Sequence, residues 1–465
     1  MLSIKRICCI GAGYVGGPTM AVIAKNCPDL KIEVVDINHE RINAWNDKDL
    51  DNLPVFEPGL KEVINEVRSK NLFFSNNVKS AIQKADMIFI SVNTPVKKNG
   101  IGAGQTSDLR WVESCAREIC KSAEGHTVVV EKSTLPVKTA QTIKDILYSV
   151  DALNTKHNRT FSVLSNPEFL AEGTAINDLE NPDRVLIGGD DLESMNSLKN
   201  IYMNWVDSKR IIFTNLWSSE LSKLSANAFL AQRISSINSI SAICESTGAD
   251  IEEVAHAVGM DSRIGRKFLK AGPGFGGSCF KKDILNLVYL SRYYGLNEVA
   301  DFWQNTLTIN TWQQTRIYET VVEKLFGNLA NKNIAILGFA FKENTNDTRE
   351  SPSIEICKNL LNEGAFLNIH DCKVTEETIS KDLSTENNST KRMWSFHNDV
   401  YSALEGVHAA LIMTEWEIYK TLDWSKILPI SKKPFWVFDT RLVLNPKDLC
   451  DLGINLWQLG YGKNK

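Results

Sequence analysis

The sequence predicts an α/β fold with two doubly wound parallel sheets, joined by a long central helix and a helical middle region. Strand-like apolar runs alternate with helical patterns at both ends of the chain. Between them, residues 218–246 form a helical pattern that neither Pro nor Gly interrupts. A helix of this length is roughly 40 Å long, enough to link two domains. We expect three domains, comprising residues 1–216, 217–329 and 330–465.

Composition excludes several classes of partner. The 465 residues are 43% hydrophobic and 23% charged, as in ordinary globular proteins. The net charge of −4 gives no reason to expect a nucleic-acid or anionic-membrane partner. Apolar runs are too short to span a bilayer, and residues 1–6 lead into a strand without a signal peptide. The ten cysteines lack zinc spacing, which predicts reduced thiols, no metal site and a cytoplasmic location.

The first predicted unit opens with a dinucleotide-binding pattern. A strand over residues 5–10 runs into Gly11-Ala-Gly-Tyr-Val-Gly16, followed by a helix over 18–26. A second strand, over residues 32–36, ends in an acid. Strand, glycines, helix, strand and acid in this order predict a Rossmann-like domain, and an α/β domain without cofactor is the less favoured interpretation.

Each residue type in this pattern has a physical role. Gly11 is expected to make the tight turn, Gly13 to admit a pyrophosphate, and Gly16 to let helix and strand pack closely. The helix N-terminus favours phosphate charge. Asp36 is expected to bind the adenine ribose and to repel a 2′-phosphate, which selects NAD over NADP.

Polar residues follow the later strands of this domain. Thr134, Glu168 and Glu172 are candidates for one crevice, because ligands bind beyond the carboxyl ends of parallel strands. Ordinary capping and turn chemistry is the alternative. In the long helix, Lys223 and Asn227 are four residues apart and share a face, although such a lysine often only reaches to solvent. The strands concerned are predicted over residues 86–92, 127–131 and 161–165.

A second α/β domain is predicted from about residue 331. Its first loop, Gly338-Phe-Ala-Phe-Lys342, lacks the dinucleotide glycines and offers a lysine instead. Arg441 follows a late strand and is suited to phosphate contacts, with a surface ion pair as the alternative. The polar segment 379–392 is predicted to be a surface loop. Its strands are predicted over residues 333–341, 367–371, 409–413 and 436–439.

A glycine-rich loop carries the candidate nucleophile. In residues 271–283, four glycines and a proline come just before Cys279, and two lysines and Asp283 follow it. Neighbouring cations and a helix N-terminus would favour the thiolate. A buried, inert cysteine in a turn is the alternative.

Together these motifs resemble the UDP-glucose 6-dehydrogenase family of nucleotide-sugar dehydrogenases, closest to its animal-type members. The resemblance covers essentially the whole chain. It rests on Gly11-x-Gly-x-x-Gly16, Asn166-Pro-Glu-Phe-Leu-Ala-Glu-Gly173, Glu220-Leu-Ser-Lys-Leu-x-Ala-Asn227, Gly274-x-Gly-Gly-Ser-Cys-Phe-x-Lys-Asp283, Phe339-Ala-Phe-Lys342 and Asp439-x-Arg441.

The resemblance implies a four-electron oxidation of a primary alcohol to a carboxylate with two NAD. Cys279 would form a thiohemiacetal and then a thioester, with Asp283 as general base. Lys223 and Asn227 would stabilise the oxyanion, and Glu168, helped by Thr134, would direct hydrolysis.

The resemblance also implies two sets of binding residues and a homo-oligomer. Arg263 would reach into a neighbouring subunit, in a dimer or a hexamer built from dimers. The residues implied for NAD are Gly11, Gly13, Tyr14, Val15, Gly16, Asp36, Arg41, Val92, Asn93, Thr94, Ser133, Thr134, Glu172 and Arg349. Those implied for UDP-glucose are Glu168, Phe169, Leu170, Ala171, Glu172, Lys223, Asn227, Arg263, Phe268, Leu269, Lys270, Gly274, Phe275, Gly276, Phe341, Lys342 and Arg441.

Three other functions stay open at this point. A dehydrogenase of GDP-mannose or UDP-N-acetylmannosamine would share nearly every motif. A two-electron 3-hydroxyacid dehydrogenase would need neither Cys279 nor a second nucleotide domain. A catalytically inactive sensor of NAD or UDP-sugar would not need Cys279, Lys223 and Asp283 intact.

Overall fold

The structure is a computed structural model that describes residues 2–133, 138–149, 159–384 and 393–462. The chain divides into two compact units. The first comprises Met1–Ala226 and Leu285–Tyr289, and the second comprises Asn227–Ile284 and Leu290–Lys465. No helix within the described ranges is both long and apolar enough to cross a membrane.

In its described residues, the first unit contains a sheet of eight strands in the order β3-β2-β1-β4-β5-β6-β7-β8. The strands pair in parallel, apart from the antiparallel pair β6 and β7. The first six strands have the order of a doubly wound nucleotide-binding fold, as predicted. The strands are β1 (Arg6–Ile10), β2 (Lys31–Val35), β3 (Leu72–Ser75), β4 (Met87–Ile90), β5 (His126–Glu131), β6 (Thr160–Ser165), β7 (Val185–Gly188) and β8 (Ile211–Thr214).

Helices cover both faces of this sheet. In β1, Ile7 and Cys9 pack into one core and Cys8 and Ile10 into the other. Successive side chains of a strand point to opposite faces, so a strand buried on both sides is apolar at every position. The helices are α1 (Gly16–Asn26), α2 (His39–Asn46), α3 (Leu60–Val67), α4 (Val78–Lys84), α5 (Arg110–Ser122), α6 (Thr139–Leu147), α7 (Ala175–Glu180) and α8 (Leu192–Tyr202), with 3₁₀ turns at Leu50–Asn52 and Ser208–Arg210.

Across the described part of the second unit, six strands form a parallel sheet in the order β11-β10-β9-β12-β13-β14. This order repeats the doubly wound pattern, which confirms the predicted fold class. The strands are β9 (Asn333–Leu337), β10 (Phe366–His370), β11 (Trp394–Phe396), β12 (Ala409–Ile412), β13 (Trp436–Asp439) and β14 (Asn455–Gln458).

The long helix predicted over residues 218–246 is α9, which runs from Leu216 to Thr247 and contributes residues to both units. A helix of 28 residues, α12, was not predicted. The helices from this point on are α9 (Leu216–Thr247), α10 (Ile251–Gly259), α11 (Phe280–Tyr293), α12 (Asn297–Lys324), α13 (Pro352–Asn362), α14 (Glu376–Leu383), α15 (Val400–Ala403), α16 (Glu417–Lys420), α17 (Trp424–Ile427) and α18 (Pro446–Asp451), with a 3₁₀ turn at Leu428–Ile430.

The surface loop predicted over residues 379–392 is wrong at its start, and residues 385–392 lie outside the described residues. Residues 379–383 complete helix α14 instead. The Thr375 side chain accepts a hydrogen bond from the Thr378 N–H and caps the helix. Ile379 and Leu383, four residues apart, lie on one helix face and are buried in the core.

Candidate functional site

The glycine loop after β1 has the space that a dinucleotide requires. Gly11 has a φ of +111°, and a Cβ atom there would overlap the Ser91 carbonyl. A Cβ atom on Gly16 would overlap the Gly11 carbonyl oxygen, so α1 can approach β1 only through a glycine. A Cβ atom on Gly13 would meet nothing within 4 Å. The loop therefore leaves open space at the one glycine assigned to the pyrophosphate, which fits NAD.

Asp36 is fixed beside this loop. Its Oδ2 accepts a hydrogen bond from the Ala12 N–H at 3.0 Å, and its Oδ1 accepts one from the Asn38 N–H at 2.9 Å. Arg41 forms an ion pair with Oδ2 at 3.1 Å. Asp36, predicted from the dinucleotide pattern, and Arg41, implied by the family resemblance, therefore lie together after β2, where a ribose would bind.

Sequence reasoning missed Trp45, which supports the loop from behind. Its indole Nε1 donates a hydrogen bond to the Ala12 carbonyl at 2.9 Å. The ring lies so close to Gly17 that a Cβ atom there would overlap it, and it stacks on Phe74 with ring centroids 4.7 Å apart. Trp45 is fully buried and held by these contacts, so it fixes the loop's position.

The other residues predicted for NAD are distributed over both units. Tyr14 and Val15 are half-buried in the glycine loop, and Val92, Asn93 and Thr94 follow β4. The Ser133 hydroxyl donates a hydrogen bond to the Val92 carbonyl at 2.8 Å, which joins the ends of β4 and β5. Glu172 is half-buried after β6, Arg349 lies in the second unit, and Thr134 lies outside the described residues.

Glu168 is held in one orientation in the first unit. Its Oε1 accepts hydrogen bonds from the backbone N–H groups of Phe169 and Leu170, at 2.8 and 3.1 Å. Its Oε2 forms an ion pair with Lys132 at 2.8 Å. Burial raises the pKa of the Glu168 carboxyl, but the Lys132 ammonium and the other donors outweigh burial, so the pKa lies below its usual value. Glu168 is therefore ionised at neutral pH.

The segment after Glu168 carries further predicted residues. Two cations lie over the Phe169 ring, with the Arg184 guanidinium 3.8 Å and the Lys223 ammonium 5.2 Å from its centroid. The Ala171 N–H donates a hydrogen bond to Asp178 at 3.0 Å. Lys223 is 7% exposed, so it does not simply reach to solvent. The structure thus brings the predicted residues Phe169 and Lys223 together within the first unit.

Cys279 is the N-cap residue of helix α11 in the second unit. It is exposed, so the interpretation as a buried, inert cysteine is wrong. Because Cys279 is the N-cap residue, the positive end of the helix dipole lies beside it. Cys27 and Cys115 are less accessible, and burial raises the pKa of the Cys27 thiol to about 11 and that of the Cys115 thiol to about 12. Cys279 therefore has the surroundings expected of a nucleophile.

Asp283 lies one helical turn after Cys279 and is fully buried. Its Oδ2 accepts a hydrogen bond from the Asn227 side-chain amide at 2.6 Å. Asn227 lies one turn after Lys223 in α9, although the division between the units falls just before Asn227. The structure therefore joins two of the predicted catalytic residues, Asp283 and Asn227, within the second unit.

Three buried amides hold the start of the cysteine loop, and sequence reasoning missed all of them. Asn310 accepts a hydrogen bond from the Phe275 N–H at 2.8 Å and donates one to the Phe275 carbonyl at 3.1 Å. Gln313 donates to the Gly272 carbonyl at 2.8 Å, and Asn238 accepts from the Gly272 N–H at 2.9 Å. A loop bound on both sides by buried side chains keeps one conformation.

The loop then packs closely against the segment between β9 and α13. A Cβ atom on Gly276 would lie 2.6 Å from the Glu350 carbonyl oxygen and 2.8 Å from the Phe341 Cβ. Gly274 has a φ of +114°, a conformation that side chains with a Cβ rarely adopt. These glycines are therefore required for the position of the loop, and they bring Phe341 beside it.

Arg441 and Lys342, predicted for the UDP moiety, lie near the same phenylalanine. The Arg441 guanidinium donates hydrogen bonds to the Met413 carbonyl at 2.7 Å and the Phe341 carbonyl at 2.9 Å, and it pairs with Glu415 at 3.1 Å. The Lys342 ammonium lies 5.5 Å from the Phe341 ring centroid. Arg441 is thus fixed at the end of β13, as a strand-end ligand residue should be.

The remaining predicted residues lie in the segment before the cysteine loop. Leu269 and Lys270 line a cavity of about 220 Å³. Phe268 is 40% exposed and has a φ of +62°. Arg263 is exposed and pairs with Asp261 at 2.6 Å, so the structure does not bring it to the other predicted residues.

Comparisons with known proteins agree with this geometry. The family model described as "UDP-glucose/GDP-mannose dehydrogenase family, NAD binding domain" matches residues 5–206. The central-domain model of the same family matches residues 217–312, and its UDP binding domain model matches residues 335–446. The first unit's glycine loop and Asp36 lie within the NAD binding match, so the cofactor is NAD.

Full-length relatives are also similar. UDP-glucose 6-dehydrogenase of Gallus gallus is 55% identical over 99% of this chain and 92% of its own length. UDP-glucose 6-dehydrogenase 4 of Arabidopsis thaliana is 51% identical over 98% of this chain and 97% of its own. The structure of a UDP-glucose dehydrogenase from Pyrobaculum islandicum has a TM-score of 0.81 and 30% identity, and the match covers 95% of each chain. The chain belongs to the UDP-glucose/GDP-mannose dehydrogenase family.

Proposed function

We propose that this chain oxidises UDP-glucose to UDP-glucuronate, with two NAD consumed in turn. The observation that carries the proposal is Cys279, an exposed thiol at a helix N-terminus in a rigid glycine loop. A four-electron oxidation needs such a nucleophile, whereas a two-electron oxidation does not. Relatives with 51–55% identity are named for UDP-glucose, which favours this sugar over GDP-mannose or UDP-N-acetylmannosamine.

Binding is assigned to the residues whose surroundings suit each ligand. Gly11, Gly13, Gly16 and Asp36 would hold NAD, which when bound accepts a hydride in each of the two oxidations. In the second unit, Arg441 and Lys342 would carry the charge that the diphosphate requires. The other residues implied for each ligand by the family resemblance are part of the same proposal.

The first oxidation needs a base for the sugar's C6 hydroxyl proton. Asp283 is the proposed base, acting through a water, because its carboxylate is fixed by Asn227 one helical turn from Cys279. Lys223 and Asn227 are proposed to stabilise negative charge on the C6 oxygen. Cys279 Sγ then forms a bond to the C6 carbon, which converts the aldehyde into a thiohemiacetal that can lose a second hydride.

The resulting thioester must be hydrolysed. The oxygen of a water forms a bond to C6, the C–S bond breaks, and Cys279 leaves as the thiolate. Glu168 is the proposed acceptor of the water's proton, since its ionised carboxylate is already oriented. Thr134 is proposed to assist, although it lies outside the described residues.

We further propose that the enzyme acts in the cytoplasm as a homo-oligomer. The Arg263 side chain is 87% exposed, and its ion pair is with its sequence neighbour Asp261. An arginine in this state is available to complete a site in a neighbouring subunit, as the family resemblance implies. A dimer, or a hexamer built from dimers, would meet this requirement.

Cys279→Ala tests the nucleophile. The substitution removes the thiol but leaves the glycine loop and both sheets intact. Isothermal titration should give dissociation constants for UDP-glucose and NAD within about twofold of wild type, while UDP-glucuronate formation falls by about a thousandfold or more. Cys450→Ala, at an exposed thiol in α18, is the matched control and should retain full activity. Near-normal turnover by Cys279→Ala would exclude the covalent mechanism.

A further inference from the structure

Lys132 is a buried cation for which the family resemblance gives no role. It follows β5 in the first unit and is 3% exposed. Its ammonium lies 2.8 Å from Glu168 Oε2, 3.1 Å from Asn166 Oδ1 and 3.2 Å from the Tyr202 hydroxyl. The ammonium thus has three oxygen neighbours, of which Glu168 carries the compensating charge.

The neighbours of Lys132 are themselves fixed. Tyr202 donates a hydrogen bond to Asn166 Oδ1 at 2.7 Å, and the Asn166 amide nitrogen donates to the Leu186 carbonyl at 2.8 Å. The amide oxygen of Asn166 therefore faces Lys132. A connected polar network of this kind holds its charged member in place.

The two partners of the ion pair differ in their access to water. The Glu168 side chain is 14% exposed, whereas that of Lys132 is 3% exposed. An ion pair that served stability alone would gain little, because well-packed apolar residues of similar volume are often as stable as a buried pair. Glu168 Oε2, the oxygen that pairs with Lys132, is buried, while the Glu168 side chain as a whole is partly exposed. The cation therefore lies behind a side chain that still reaches the surface.

Glu131, the residue next to Lys132, shows what burial does to a carboxyl that lacks a cation. Burial, and then the nearby Glu220, raise the pKa of the Glu131 carboxyl well above its usual value. Glu168 lies in the same unit, yet its pKa is lowered, and the largest opposing influence on it is Lys132. The cation accounts for the opposite directions in which the pKa values of these two buried glutamates shift.

We propose that Lys132 is a positioning residue that keeps Glu168 ionised and oriented to accept the proton of the hydrolytic water. This inference rests on the proposed function, since it concerns the hydrolysis of the Cys279 thioester. The charged and titratable groups that face this pair are Tyr202, which bonds to Lys132, Lys223, which also favours the ionised Glu168, and Cys9, which interacts with Lys132.

Lys132→Met tests the proposal, because Met removes the charge and keeps most of the length of the side chain. Without the cation, Glu168 takes up a proton at neutral pH and hydrolysis slows. In a single turnover at pH 7, followed by acid quenching and intact mass measurement, the thioester on Cys279 should accumulate and decay about tenfold or more slowly than in wild type. In this variant the thioester decay rate should rise about tenfold for each unit of increasing pH, until Glu168 is ionised.

Two controls separate this role from a purely structural one. Tyr202→Phe removes a neighbour of Lys132 but no charge, so it should keep the wild-type pH profile. In a Glu168→Gln background, adding Lys132→Met should change the decay rate by less than about twofold, because Lys132 acts through Glu168. Should Lys132→Met fail to fold, Lys132→Gln removes the same charge but retains a hydrogen-bond donor, and the same criteria apply.

The inference is overturned if the thioester of the Lys132→Met variant decays at the wild-type rate. It is also overturned if the decrease in decay rate is independent of pH and equally large in the Glu168→Gln background. These results differ from a failure of the proposed function. In that case wild-type enzyme itself would form no thioester on Cys279.

Discussion

At the scale of single residues, the carboxylate of Asp36 determines which nicotinamide cofactor fits. The carboxylate accepts a hydrogen bond from the Ala12 N–H of the glycine loop, and its charge is partly compensated by the Arg41 guanidinium at 3.1 Å. A 2′-phosphate on the adenine ribose would be repelled by the carboxylate but attracted by the guanidinium. Removal of the carboxylate charge should therefore leave an arginine suited to NADP.

We expect wild-type kcat/KM for NAD to exceed that for NADP by about 100-fold, or roughly 3 kcal/mol. Asp36→Asn should reduce this ratio by about tenfold or more, because it removes the repulsion and frees Arg41. Adding Arg41→Ala in the same variant should restore part of the preference. Equal use of both cofactors by wild-type enzyme would refute the role of Asp36.

At the scale of elements, two glycines of one loop have different reasons for being glycine. A Cβ atom on Gly16 would overlap the Gly11 carbonyl oxygen, so the constraint at Gly16 belongs to the fold. A Cβ atom on Gly13 would meet nothing within 4 Å, so the constraint at Gly13 belongs to the ligand. The two positions are a matched pair for separating folding from cofactor binding.

Gly13→Ala should leave the thermal midpoint of the NAD-free protein unchanged but raise its dissociation constant for NAD by about tenfold or more. Gly16→Ala should lower the midpoint by roughly 5 °C or more, since α1 must move away from β1. Calorimetry and fluorescence titration on both variants would measure these effects. Unimpaired NAD binding by Gly13→Ala would contradict the assignment of the pyrophosphate to this loop.

The second sheet shows why the element pattern repeats without the glycine fingerprint. Gly338 has a φ of +101°. A Cβ atom there would overlap Thr414, just after the neighbouring strand β12, as a Cβ atom on Gly11 would overlap Ser91 just after β4. Asp371 takes the position of Asp36 after the second strand and, as Asp36 does with Ala12, accepts hydrogen bonds from its loop, here from the N–H groups of Phe339 and Ala340. The difference lies in the loop sequence, where Ala340 stands in place of the glycine that the dinucleotide fingerprint requires for the pyrophosphate.

At the scale of the whole molecule, local patterns predicted the two doubly wound sheets and the residues at the ends of their strands. Alternation and glycine spacing are local properties, so the sequence displays them. Trp45 donates a hydrogen bond to Ala12, 33 residues earlier in the sequence, and Gln313 donates one to Gly272, 41 residues earlier. Such contacts depend on the finished fold, and nothing in the neighbouring sequence marks them. The division into three domains stays a prediction.

Assembly can be tested by complementation between two inactive variants. Arg263→Ala and Cys279→Ala should each be inactive alone, the first because it fails to complete a neighbour's site. Coexpressed in equal amounts, they should recover about a quarter of wild-type activity, since half of the dimers are mixed and each mixed dimer has one intact site. Sedimentation would verify that mixed oligomers form. Mixed oligomers without activity, or an active monomer, would rule out a shared site.

The central claim, that Cys279 carries an aldehyde through to the acid, is tested most directly by counting NADH. Limiting UDP-glucose with excess NAD should yield about two NADH for each sugar consumed, and an added amine should trap no aldehyde, because the intermediate stays bound to sulfur. About one NADH per sugar, with an aldehyde recovered on the amine, would contradict the account.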